Sequence, residues 1–198
     1  MRLSMLSWLV CSLALAALLV AVGPSRLLSP PAGKQGEALI GGDFTLLDGD
    51  GNEVRPADFR GRYLMVYFGF THCPDICPTT LLVMKNALDK LGDNKRQVVP
   101  LFISLDPERD TPAIVKQYVT NFGDTLIGLT GSPEQVKHAA DSYRVYYSKV
   151  AQEGSASGYL IDHSGFIYLM DTKGRYLAHF AHTISETDLA SKLNGFVR

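Results

Sequence analysis

The longest unbroken apolar pattern lies at the amino end. Residues 3–25 carry no charge, and 6–22 are dense in Leu, Ala and Val. About 20 helical residues rising ~1.5 Å each cover a ~30 Å hydrocarbon core, so one transmembrane helix is expected here. The stretch PSRLLSPPAGKQG (24–36) then lacks any periodicity and reads as a Pro/Gly/Ser tether. The expected division is a membrane anchor at 1–24, a tether at 25–38 and a folded domain at 39–198. A cleaved signal peptide is the rival reading: Ala21 and Gly23 are small enough to flank a cut, but Pro24 is an unfavourable new terminus.

Beyond the tether the pattern changes to short elements. Residues 44–47 and 53–54 flank DGDGN, which marks a β-hairpin, and PADF (56–59) suggests one helical turn. YLMVYF (63–68) is aromatic-rich and uncharged, as a buried strand is. Residues 79–91 carry an apolar stripe of Leu81, Leu82, Met84, Leu88 and Leu91, with Lys85, Asp89 and Lys90 opposite; Gly92 ends this helix. VVPLFISL (98–105) is a second buried strand, and Asp110-Thr111-Pro112 opens a helix reaching 122, both Asp110 and Thr111 reading as caps. A strand at 125–129 and a helix at 133–143 follow, then two extended arms, 145–150 and 158–161, around the loop AQEGSASG. A hairpin of 166–170 and 176–180 turns at DTKG, and Ser185 starts a closing helix. The alternation predicts an α/β fold with parallel strands and right-handed crossovers, edged by an antiparallel hairpin. This is a thioredoxin-like fold with an N-terminal β-hairpin and an inserted hairpin, preceded by one transmembrane helix.

Composition narrows the function. The 198 residues have a formal net charge of −1 and no basic cluster, which gives no reason to expect nucleic-acid binding. Of three cysteines, Cys11 sits in the apolar segment as a small membrane-helix residue, leaving Cys73 and Cys77 for the domain. Two cysteines do not make a disulfide scaffold, so chemistry is expected of them. They lie four residues apart where a strand hands over to a helix. If the helix is already wound there, both sulfurs share a face with Cα atoms roughly 6 Å apart, which suits a disulfide or a shared metal equally. The positive end of a helix favours the thiolate, which is both a nucleophile and a soft-metal ligand.

Three motifs together, GFTHCPDICPTT, SLDPERDTP and YLIDHSGFIYLMD, resemble the Sco/SenC family of copper chaperones over the whole soluble domain and in the family's order. That resemblance implies copper, as Cu(I) or Cu(II), held by Cys73, Cys77 and His163. It also implies a role in delivering copper to, or preparing, the binuclear copper A site of cytochrome c oxidase subunit II, with other copper chaperones as donor or acceptor. The residues agree with it. Thiolates attract soft copper(I), and an imidazole completes a low-coordinate site. His163 precedes the strand whose entering loop faces the cysteines in this fold. Thioredoxin-like reductases resemble one another in carrying a cis-proline there, and no proline occurs after Pro133.

Asp106 is expected either to act on these ligands rather than on the metal or to serve as a structural turn residue, and Asp162 and Tyr159 to position His163. His72 is adjacent but should point away by alternation, and His138, His179 and His182 read as structural or solvent-facing. The alternative function is a thiol–disulfide reductase, with Cys73 and Cys77 as a redox-active disulfide that keeps the oxidase's copper-ligand cysteines reduced. A peroxidase is disfavoured, because Phe70 and Thr71 stand where its Pro-x-x-x-Thr-x-x-Cys context would be. The metallochaperone reading makes enzymatic activity secondary. A segment this near the start sends the domain outward, and no Arg/Ser-rich transit leader precedes it, so the expected location is the bacterial inner membrane, single-pass and facing the periplasm.

Overall fold

The computed structural model describes residues 40–152 and 158–197. The expected anchor and tether lie outside the described residues; among those described, no helix is long and apolar enough to cross a membrane. The chain runs β1 (Leu46–Leu47), β2 (Glu53–Val54), a 3-10 turn (Pro56–Phe59), β3 (Tyr63–Gly69), α1 (Ile76–Asp89), a second 3-10 turn (Gly92–Gln97) and β4 (Val98–Ser104). It continues through α2 (Pro112–Thr120), β5 (Ile127–Leu129), α3 (Pro133–Ser142), β6 (Tyr147–Ala151), β7 (Tyr159–His163), β8 (Phe166–Met170), β9 (Tyr176–Ala181) and α4 (Glu186–Phe196).

Five strands form the central sheet in the order β5-β4-β3-β8-β9. β3, β4 and β5 are parallel, whereas β8 runs antiparallel to β3 and to β9. β1 pairs with β2 and, through Leu47, bridges Thr130 just past β5; among the described residues β6 pairs with β7 alone, so the inserted arms form a hairpin of their own. All of β4 and all but the first residue of β3 are buried, as uncharged runs require when both faces of a strand are covered.

Alternation along β3 assigns its faces. Tyr67 registers with Phe102, and Phe102 with Gly128, so these three share one face. There Phe102 packs on Tyr118 of α2 at 5.4 Å between ring centroids. Gly128 lies so close beneath α2 that an added Cβ would stand 2.4 Å from a Val115 methyl. α1 covers the same face at Gly69, and α4 docks on α1 through Asn86 Nδ2, which donates to Glu186 at 2.7 Å. On the opposite face Phe68 meets Tyr143 at 5.3 Å and Tyr168 at 6.2 Å, and Phe44 closes over Tyr143 at 6.4 Å.

Two details differ from the sequence pattern. α1 starts at Ile76, three residues before the apolar periodicity predicts, because the cysteine loop itself winds into its first turn. Leu82 leaves the apolar stripe: it is 50% exposed, while Ala87 takes an inward position. Phe68→Ala is therefore expected to cost about 3–5 kcal/mol of unfolding free energy, and Leu82→Ala less than about 0.5 kcal/mol, measured by denaturant titration.

Candidate metal centre

β3 ends at Gly69, and a tight turn carries Cys73 to the first turn of α1, where Cys77 sits. Cys77 is fully buried and Cys73 half-buried, and both are free thiols. The Cys77 amide, one of the unpaired donors at the helix start, donates to Cys73 Sγ at 3.3 Å. The Cys77 thiol and the backbone amides of residues 75–77 together pull the Cys73 thiol down to about 6. Cys77 moves the other way, held protonated by the neighbouring Cys73 sulfur and by burial. The pair is thus one thiolate sharing one proton with a buried thiol. The Tyr67 hydroxyl donates to Cys77 Sγ at 3.8 Å. Gly69 leaves room for that sulfur, since a Cβ there would lie 2.9 Å from it.

His163, the last residue of β7, brings Nε2 to 3.7 Å from Cys77 Sγ. Its Nδ1 faces the Ser164 carbonyl at 3.2 Å. A carbonyl only accepts, so Nδ1 carries the proton and Nε2 turns its lone pair to the sulfur. Burial lowers the ring's proton affinity below the ordinary histidine value, which keeps it neutral at pH 7. Tyr67 and Phe70 hold the imidazole edge-on at 6.2 and 6.1 Å. Cys73 and His163 open together onto a cleft of ≈ 290 Å³.

The acidic residues act elsewhere. Asp106 is completely buried, accepts the Tyr159 hydroxyl at 2.7 Å and pairs with Arg109, whose guanidinium stacks on the Tyr159 ring at 3.7 Å. Lys149 of β6 lies over the same ring at 4.7 Å and pairs with Glu108. This clamp fastens the β6–β7 hairpin, at the end away from His163, to the loop after β4. Asp106 therefore touches the arm that carries His163 and not the sulfurs. Asp162 is exposed and lines the cleft beside His163, where its charge favours the protonated ring, while the Ser164 carbonyl steadies the imidazole.

Asp110 corrects the sequence reading as a helix cap. Thr111 alone caps α2, accepting from the Ile114 amide at 3.4 Å. Asp110 is fully buried and accepts the Thr71 amide at 2.9 Å, the Thr71 hydroxyl at 2.6 Å and the Ser104 hydroxyl at 2.5 Å, which pins the loop into Cys73. His72 points to this carboxylate, at 3.7 Å, and away from the sulfurs. His72, Asp106 and Asp110 bring potential ligand atoms within 4.8 Å of one another, but both carboxylates are already taken up by these hydrogen bonds. His138 meets the Asp43 carbonyl at 3.0 Å and His179 the Tyr176 hydroxyl at 2.5 Å. His182, expected to be structural or solvent-facing, is half-buried against the Gly165 carbonyl and lines the cleft with Cys73 and His163.

A family model described as SCO1/SenC matches residues 32–198. The chain belongs to the SCO1/SenC family. It is 41% identical over 177 residues to a SCO2-like protein of Rickettsia prowazekii (strain Madrid E), covering 87% of this chain and 86% of that protein. To the mitochondrial SCO1 homolog 1 of Arabidopsis thaliana it is 46% identical over 170 residues, covering 85% of this chain and 48% of the other. The crystal structure of Arabidopsis thaliana ScoI with copper bound superposes with a TM-score of 0.76 at 45% identity, covering 80% of this chain and 98% of that one. A thioredoxin-like SCO1/SenC domain accounts for the sheet order and for the hairpin inserted before β8.

Two measurements check this site. In metal-free reduced protein, alkylation of Cys73 should titrate with a midpoint near 6, and Cys77→Ala should move that midpoint up, because the Cys77 thiol is the first cause of the depression. Tyr159→Phe leaves the buried Asp106 carboxylate short of a donor. It should cost about 1–3 kcal/mol and speed hydrogen exchange of the β7 amides more than that of β3.

Proposed function

We propose that this SCO1/SenC protein is a copper metallochaperone that delivers copper to, or prepares, the binuclear copper A site of cytochrome c oxidase subunit II. The observation that carries the reading is the donor set. A thiolate and a neutral imidazole open onto one cleft and both reach the buried Cys77 thiol behind it, with Nε2 3.7 Å from Cys77 Sγ and its lone pair turned to it. The copper-bound Arabidopsis relative supports the choice of metal.

The residues fit copper as cargo. Soft thiolates and one imidazole suit copper(I), and hard carboxylates are spent on hydrogen bonds nearby. Cys73, already ionised near neutral pH, is the first donor. His163 has no proton to lose at Nε2. Cys77 must release its proton to become a ligand, so loading at pH 7.5 should free about one proton per chain rather than two. Copper supplies no reaction chemistry here; it is what is passed on. The anchor at 1–24 and tether at 25–38 would hold the domain 39–198 to the bacterial inner membrane, facing the periplasm, where an oxidase subunit and a copper donor or acceptor can reach the cleft.

One observation favours a second reading. A half-exposed thiolate beside a buried thiol is also the arrangement of a thiol–disulfide reductase, with Cys73 attacking and Cys77 resolving. His163 separates the two. Anaerobic copper titration, read by X-ray absorption, should give sulfur and nitrogen ligation in the wild type and at least about tenfold weaker binding in His163→Ala. Reduction of an oxidised peptide by the metal-free His163→Ala protein should persist. Unchanged copper affinity in His163→Ala would remove this histidine from the site.

A further inference from the structure

We propose that His182 is a second imidazole donor of the cleft, taking a coordination position on copper(II) that copper(I) leaves empty. The inference rests on the copper reading above and adds a residue to it.

His182 follows the last residue of β9 and lines the ≈ 290 Å³ cleft together with Cys73 and His163. Its ring is placed by the fold. The His182 amide donates to the Gly165 carbonyl at 2.8 Å, and ring Nδ1 lies 3.3 Å from the same oxygen. As with His163, the carbonyl fixes the proton on Nδ1 and leaves the lone pair on Nε2.

Gly165 makes the room. A Cβ at this position would stand 2.6 Å from His182 Nδ1 and 3.3 Å from its Cγ, so any other residue would push the ring out of place. The cleft therefore holds two imidazoles, each with Nδ1 directed at a backbone carbonyl one or two residues beyond His163.

The chemistry assigns the oxidation state. Copper(I) is satisfied by few soft donors, which the two sulfurs and His163 provide. Copper(II) favours a tetragonal set with more nitrogen and oxygen donors. Among the other side chains lining the cleft, Phe70, Pro74, Ile76, Leu160 and Ile161 offer carbon only, and Asp75 and Asp162 offer hard oxygens. His182 is the borderline donor within that wall. It stabilises the oxidised metal and is released when the metal is reduced, so the two oxidation states are held with different strength.

The test uses the full chain loaded with copper(II) in air and, separately, with copper(I) under argon, as wild type, His182→Gln and His182→Asn. Pulsed electron paramagnetic resonance counts imidazole nitrogens on copper(II), and chelator competition gives both affinities. The expected result is two imidazoles in the wild type and one in either variant. Copper(II) affinity should fall at least about tenfold and copper(I) affinity stay within about twofold. Retained copper(I) binding and far-UV circular dichroism report that the variants are folded. A single imidazole in the wild type overturns the proposal without any variant. So does an equal copper(II) affinity in His182→Gln. Wild-type protein that binds neither form of copper overturns the underlying copper reading as well.

Discussion

A thiol that is denied water governs this site. Cys77 lies in the first turn of α1 with no exposed surface, pressed against Gly69 and facing Tyr67. Ionising it there would place a charge in a poorly solvated position, so its proton stays and the negative charge settles on Cys73, where the helix amides and partial exposure can stabilise it. The two sulfurs, chemically alike, are thereby made different. One is a ready donor or nucleophile. The other becomes available only when something replaces its proton. The imidazole of His163, aimed at the same sulfur, completes an arrangement that rewards a soft cation at that point.

Holding this arrangement takes two separate structural units. The cysteines belong to the rigid sheet–helix junction, where Asp110 ties the loop at Thr71 to Ser104 at the end of β4. His163 belongs to the β6–β7 hairpin, which among the described residues has no strand partner in the central sheet. Its position depends on the Tyr159–Asp106–Arg109 clamp at one end and on the bond from the Ser164 amide to the Tyr146 carbonyl, 3.0 Å, at the other. Buried Asp106 and Asp110 come from the same short turn after β4, so the segment DPERD serves both units at once. One loop sets the cysteine turn with one carboxylate and the histidine arm with another.

Much of this was legible in the sequence because its signals are local. The uncharged run at 63–68, the DTKG turn, and the capping residues Thr111, Ser132 and Ser185 each specify their element without help from distant parts of the chain. The cysteine spacing brought the two sulfurs together, although Cys73 lies in the turn before α1 and not on a shared helix face, and the resemblance of three motifs pointed to His163. What stayed hidden is tertiary. The apolar stripe of α1 included Leu82, because periodicity cannot tell which edge of a wide stripe a docking helix leaves bare; α4 packs beside α1 and Leu82 remains outside. Asp110 stood in a capping sequence, but its partners are Thr71, in the remote turn before the cysteines, and buried Ser104 at the end of β4. His182 could be found only once β8 and β9 were paired, since it is their register that brings it to Gly165.

The division into two units also bears on how a metal can leave. A site built wholly from one rigid element would release its cargo only by breaking every bond within fixed geometry. Here the imidazole rides on a hairpin that pairs only with itself and is held by polar contacts, several of them near the surface. Local opening of such a unit costs less than opening of the core, because few buried apolar contacts and exposed hydrogen bonds must be lost. The cysteines can then remain in place while the arm yields. The half-exposed Cys73 faces the cleft through which a partner would approach. Cys77, deeper and proton-hungry, favours release: once its bond to the metal loosens, reprotonation makes the loss directional. On the copper reading proposed above, the same burial that would delay loading would assist unloading, and the asymmetry between the two sulfurs would suit a binding site to transfer.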